Sequence, residues 1–140
     1  MNLPVVRMLV ACQDVVVDLA DGSWVIRRPY HTVWMPPGVT KNFGQRELWV
    51  YAQLSDGLGE FSLGVEFVPF DPSRPSPLVL GRSEPERRHF VDRLEVHEVA
   101  FRLRNVAIPK PGQYEFRLLA GGKVLENGTA YLDVLAGEAS

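Results

Sequence analysis

Three histidines, one cysteine and seventeen acidic residues are the groups in this 140-residue chain that can move protons, attack a substrate or hold a metal. His31, His89 and His97 are scattered, and none pairs with another at a metal-ligand spacing such as H-x-x-x-H. A zinc site needs three or four convergent ligands, so isolated histidines read as structural or solvated side chains. Cys12 sits in an apolar run rather than an electropositive cleft. It reads as a small buried hydrophobe, not an activated thiolate. No G-x-S-x-G nucleophile elbow occurs. Asp14, Asp18 and Asp21 gather around one turn, with Asp56 and Asp71 in others. Calcium needs 6–8 oxygen ligands from converging loops, and the EF-hand pattern is absent. These aspartates read as turn residues whose carboxylates bond nearby backbone N–H groups. Gly57-Leu58-Gly59 and Gly121-Gly122-Lys123 lack the following helix that a phosphate cradle requires, so they read as turns. The expectation is a chain that is not an enzyme and holds no metal or cofactor.

Aromatic side chains are the better candidates for function. Leu48, Val50, Ala52 and Leu54 alternate with Trp49, Tyr51 and Gln53. If the aliphatic set faces the core, Trp49 and Tyr51 point outward, and Trp34 adds to them from another strand. Clustered aromatics left on a sheet face mark a contact surface. The alternative is that the proline-rich stretch 69–92 folds over them.

The elements that must position these residues are strands. Residues 99–119 show strict alternation on both sides of a Pro109-Lys110-Pro111-Gly112 turn, which predicts a β-hairpin with one buried face. Residues 5–13 read as a first strand with Val6, Met8, Val10 and Cys12 on its apolar face. Strands follow at 23–28 and 30–35, with Pro29 marking an edge or bulge between them. Residues 39–46 read as loop, and 47–54 as a strong strand. After a turn at 55–60, residues 61–68 return as its partner. Short strands at 78–80 and 89–91 interrupt the irregular stretch. The last strand covers 130–135, with Ala130, Leu132 and Val134 on one face, and the tail 136–140 frays. No window shows the i, i+3, i+4, i+7 spacing of an amphipathic helix. The sum is one domain over residues 1–140: an all-β, antiparallel two-sheet sandwich of about eight strands, with little or no helix.

Composition agrees with a folded domain: 46% hydrophobic and 23% charged residues, with a net charge of −2. Without a basic excess there is no electrostatic footprint for nucleic acid. The Arg27–Arg28 and Arg87–Arg88 pairs are too short to supply one. A single cysteine excludes an internal disulfide and favours a cytoplasmic location. Leu9-Val10-Ala11-Cys12 matches the end of a bacterial lipoprotein signal, but Arg7 breaks the apolar core such a signal needs, so the segment reads as a strand. No apolar run is long enough to span a membrane.

Leu48-Trp49-Val50-Tyr51-Ala52-Gln53-Leu54-Ser55-Asp56-Gly57 resembles a motif of small bacterial β-sandwich domains of unknown function. So do Val10-Ala11-Cys12-Gln13-Asp14-Val15, Phe101-Arg102-Leu103-Arg104-Asn105 and Pro109-Lys110-Pro111-Gly112-Gln113-Tyr114. The resemblance runs along nearly the whole chain. It implies a C2-like or immunoglobulin-like sandwich and no activity, since that family carries no assigned catalytic residues. A Tyr just after the turn, two residues past Pro111-Gly112, is similar to the tyrosine corner of immunoglobulin-like sandwiches. Function is then expected as protein binding or scaffolding, with a protein partner or a second copy held at Trp49, Tyr51 and Trp34. Arg102, Arg104, Glu115 and Arg117 would set the register of that contact. The alternative is a loop-end module for calcium, carbohydrate or a lipid head group.

Overall fold

Alternating apolar residues have a period of two, so each strand offers one face for burial and two such faces must be stacked to make a core. The structure, a computed structural model, describes residues 2–29, 31–36, 43–71 and 78–137. Among these there are ten strands and no helix. They are β1 (Val5–Val17), β2 (Trp24–Pro29), β3 (Thr32–Trp34), β4 (Phe43–Ser55), β5 (Gly59–Pro69), β6 (Gly81–Arg82), β7 (Glu86–Phe90), β8 (His97–Ile108), β9 (Gly112–Ala120) and β10 (Lys123–Leu135). One sheet is four-stranded in the order β2-β1-β4-β8. The other is six-stranded in the order β3-β10-β9-β5-β6, with β7 also pairing β5. The core lies between them. Leu48, Val50, Ala52, Leu54, Val99, Phe101 and Leu103 meet Leu63, Val65, Phe67, Tyr114, Phe116, Leu118, Leu132 and Val134.

The fold class is the one the alternation predicts, but several details differ. Strands β8 and β9 are not a hairpin. β8 pairs with β4 and β9 pairs with β5 and β10, so the Pro109–Gly112 connection crosses from one sheet to the other. Alternation says which side of a strand is buried, and a neighbour beside the strand and one across the core satisfy it equally. The same correction applies to β4 and β5, which lie in different sheets rather than pairing. The crossing after β8 is tied by Tyr114, whose hydroxyl donates to the Lys110 carbonyl at 2.5 Å. Its buried ring stacks on Phe67, with centroids 5.2 Å apart and planes at 12°.

The first strand changes phase. Val6 lies opposite Leu54 and Met8 opposite Gln53, which makes Arg7 the extra residue of a β-bulge. Val6 therefore faces the core, as do Leu9 and Ala11, while Met8, Val10 and Cys12 turn to the outer face. A strict period-two reading of residues 5–13 fails at that residue. The bulge points Arg7 at the β4–β5 connection, where its Nε donates to Ser55 Oγ at 2.6 Å and its Nη2 pairs with Asp56.

One pairing departs from the antiparallel expectation. β3 runs parallel to β10, with Trp34 beside Leu135. Residues 43–46, expected as loop, begin β4, and residues 39–42 lie outside the described residues. Residues 78–80 are not strand; the short strands of that region are β6 and β7. Residues 124–135 belong to one strand, β10. Of the expected frayed tail, 138–140 lie outside the described residues. No helix of the described residues is long and apolar enough to cross a membrane.

Candidate functional site

Trp49 and Tyr51 point away from the core as expected, because Leu48, Val50 and Ala52 fill it. They are nevertheless not equally free. Tyr51 is only 2% exposed. Its hydroxyl bonds to Glu98 and accepts from Gln53 Nε2 at 2.8 Å. The Trp24 ring lies 6.0 Å from it, tilted by 47°. Burial first, and the Glu98 carboxylate second, push the Tyr51 phenol above its ordinary range. Among the described residues, the ring that covers Tyr51 comes from strand β2, and residues 72–77 of the 69–92 stretch lie outside the described residues.

That cover implies a bend. Trp24 sits opposite Val17, and Tyr51 opposite Val10. Seven strand residues span roughly 23 Å when straight, more than two aromatic side chains can bridge. The β1–β2 hairpin therefore curls back over the outer face of the four-stranded sheet. Cys12, opposite Trp49, is fully buried there and lies outside the apolar core cluster. Its thiol reaches the Trp49 carbonyl at 3.7 Å. Burial, with the nearby Asp14 adding to it, pushes the thiol up to about 11.

Trp49 is half-buried at the mouth of a groove of about 400 Å³ lined by Arg82, Glu84, Pro85, Glu86, Arg102 and Arg104. Its indole N–H donates to Glu47 at 3.1 Å, and the Arg102 guanidinium lies over the ring at 5.7 Å. Glu47 also accepts from Arg102 at 2.6 Å, and this bond holds its carboxyl below the usual range. Ser83 bridges to Leu103, so part of the 69–92 stretch lies alongside β8, the strand that neighbours β4.

Trp34 is in neither place. It is 60% exposed and belongs to the six-stranded sheet. Val33 and Val134 face the core, so Trp34 and Leu135 face out side by side. Tyr131 lies on the same outward side of β10, and Phe70 meets it edge-on at 5.4 Å. Trp34, Leu135, Tyr131 and Phe70 are all exposed apolar side chains. The sequence signal for Tyr131 and Leu135 was present, since both alternate with the buried Leu132 and Val134. Phe70 follows Pro69 in an irregular stretch and carries no periodic signal. Beside Tyr131, Glu115, only 4% exposed, is paired with Arg117, and at the far edge of the same sheet Glu66 meets Arg82 at 3.3 Å. A cleft of about 320 Å³ opens next to Tyr131, lined by Leu9, Val10, Ala11, Pro29, His31 and Ala130.

The three expected contact residues thus do not form one surface. Arg102 and Arg104 also sit on a different sheet from Glu115 and Arg117. Among the described residues, no three His, Cys, Asp or Glu side chains are grouped to hold a metal. Asp18 accepts from Ala20 N at 2.8 Å, and Asp21 accepts from Ser23 N at 2.9 Å and Oγ at 2.6 Å, the turn roles their spacing predicts. Asp14 forms a two-pronged pair with Arg27, which lowers its pKa. His97 lies at the buried end of β8 with its ring centroid 4.1 Å from that of Phe90. No protein-family model matches this chain, and no curated protein matches it.

Proposed function

We propose that this chain is a non-catalytic binding module that engages another protein through the outer face of its six-stranded sheet. The observation that carries the reading is the exposed set Trp34, Leu135, Tyr131 and Phe70. Aromatic side chains on a rigid sheet supply large contact area at little entropic cost, and such sets concentrate binding energy. The Glu115–Arg117 pair beside Tyr131 supplies the charge that orients a partner. Membership in a C2-like or immunoglobulin-like bacterial family and a cytoplasmic location belong to the same proposal. The test is Trp34→Ala with Tyr131→Ser. A partner captured by the wild-type chain from its native organism, or self-association measured by sedimentation, should weaken at least about tenfold. An unchanged affinity, with the melting temperature also unchanged, rules this surface out.

A loop-end site is the second reading, now favoured for an apolar or lipid surface over calcium. Val91, Leu94 and Val96 are exposed on the β7–β8 connection, Leu94 by 86%. The Arg93 carbonyl accepts from Asp56 N at 2.8 Å, which holds that connection against the β4–β5 turn. Leu58 of the same turn bridges to Asn2, beside the exposed Leu3. Co-sedimentation with lipid vesicles that is lost in Leu94→Ser supports this reading. No binding to neutral or anionic vesicles removes it.

A further inference from the structure

No side chain from residues 13–29 belongs to the apolar core, although Trp24 of this segment lies on the buried Tyr51 ring on the outer face of the four-stranded sheet. Only Trp24 and Ile26 of β2 are half-buried, and its other side chains are exposed. The Asp14–Arg27 pair lies within the hairpin, so it stiffens the arm without tying it to the sheet. The ring contact that ties it down is Trp24 on Tyr51. Where the arm leaves the sheet, beside Pro29, Arg28 holds φ at 50°, a left-handed conformation costly for a residue with a side chain.

We propose that residues 13–28, the part of the β1–β2 hairpin beyond Cys12, form a strap that lifts from the four-stranded sheet while β1 up to Cys12 stays paired with β4 and the sandwich stays folded. Segments with few core contacts open locally at far lower cost than the whole domain. Lifting uncovers a strip on which Val10 lies opposite Tyr51 and Cys12 opposite Trp49. The strip continues into the groove at Arg102 and Arg104.

Cys12 is the only cysteine in the chain, and its buried thiol sits where the strap joins the sheet, between Pro29 on one side and Trp49 on the other, so it reports the opening. Native protein is mixed with a thiol reagent at a series of urea concentrations below the unfolding transition. Local lifting gives a labelling rate insensitive to urea at the low end and faster than global unfolding allows. Trp24→Ala should raise that rate about tenfold, the range expected for loss of one aromatic contact. Hydrogen exchange on the wild-type chain needs no variant. Amides of 14–17 and 24–27 should exchange as one group, well ahead of β4 and β9. Labelling that climbs with urea from the first addition at the full unfolding slope overturns the proposal. So does a rate unchanged by Trp24→Ala, or exchange of 14–17 and 24–27 in step with β4.

Discussion

Tyr114→Phe isolates a single hydroxyl. In the native fold that hydroxyl donates to the Lys110 carbonyl at 2.5 Å and ties the crossing between the two sheets. Phenylalanine keeps the buried ring and its 5.2 Å stack on Phe67, so burial and stacking are unchanged. Only the hydroxyl's bonds to Lys110 are lost, the short one to its carbonyl and a long one accepted from its N–H at 3.4 Å, worth about 0.5–1.5 kcal/mol net. Lys110 is exposed, so water takes over the freed carbonyl and no buried-acceptor penalty is added. The expected loss is about 1 kcal/mol, or roughly 3–4 °C in melting temperature for a domain of this size. Urea unfolding followed by tryptophan fluorescence should show a lower midpoint with an unchanged slope. Tyr114→Ala removes the ring as well and should cost about 3–5 kcal/mol. If Tyr114→Phe is as stable as the wild type, the hydroxyl does not tie the crossing. A loss above about 3 kcal/mol would equally refute this reading, because one short bond and one long bond beside an exposed residue cannot supply it.

Gly57→Ala should destabilise by about 1–3 kcal/mol in urea unfolding, because a Cβ there meets the buried Phe90 ring at 2.8 Å and Pro4 at 3.1 Å. Trp34→Ala should leave stability within about 0.5 kcal/mol of wild type, since the side chain adds nothing to the core; a larger loss would place Trp34 in the fold rather than on a contact face. The Cys12 thiol keeps its proton in the native state up to about 11, against 9.0 unfolded. Its contribution is therefore full below pH 9 and fades as pH rises through 9 to 11. Wild type should lose about 1–2 kcal/mol relative to Cys12→Ala across that window, and parallel pH profiles would contradict it.

Strand content was legible because burial on one side of a strand writes itself as alternation, and Leu48–Leu54 and Val99–Leu103 show it without interruption. Turn chemistry was legible for the same local reason: Asp18, Asp21 and the Gly121-Gly122 pair act on their immediate neighbours. The phase of β1 was not, because the bulge at Arg7 is set by what Arg7 reaches, Ser55 and Asp56, far along the chain. The candidate surface was only half legible. Alternation correctly turned Trp49 and Tyr51 away from the core, but exposure depends on what else lies there. Trp24 closes over Tyr51 from a hairpin that no local pattern connects to it.

Residue order thus dictates which side of each strand is apolar, where the chain turns, and that the product is a two-sheet sandwich, because these follow from contacts between near neighbours. Tertiary structure alone decides which strands lie side by side and which lie across the core, as β8 and β9 show. It also decides that Trp34 faces solvent on one sheet while Tyr51 is shut away on the other. The physical reason is that an apolar face gains the same by burial against any complementary apolar surface, so its period names the need for a partner and leaves the partner open.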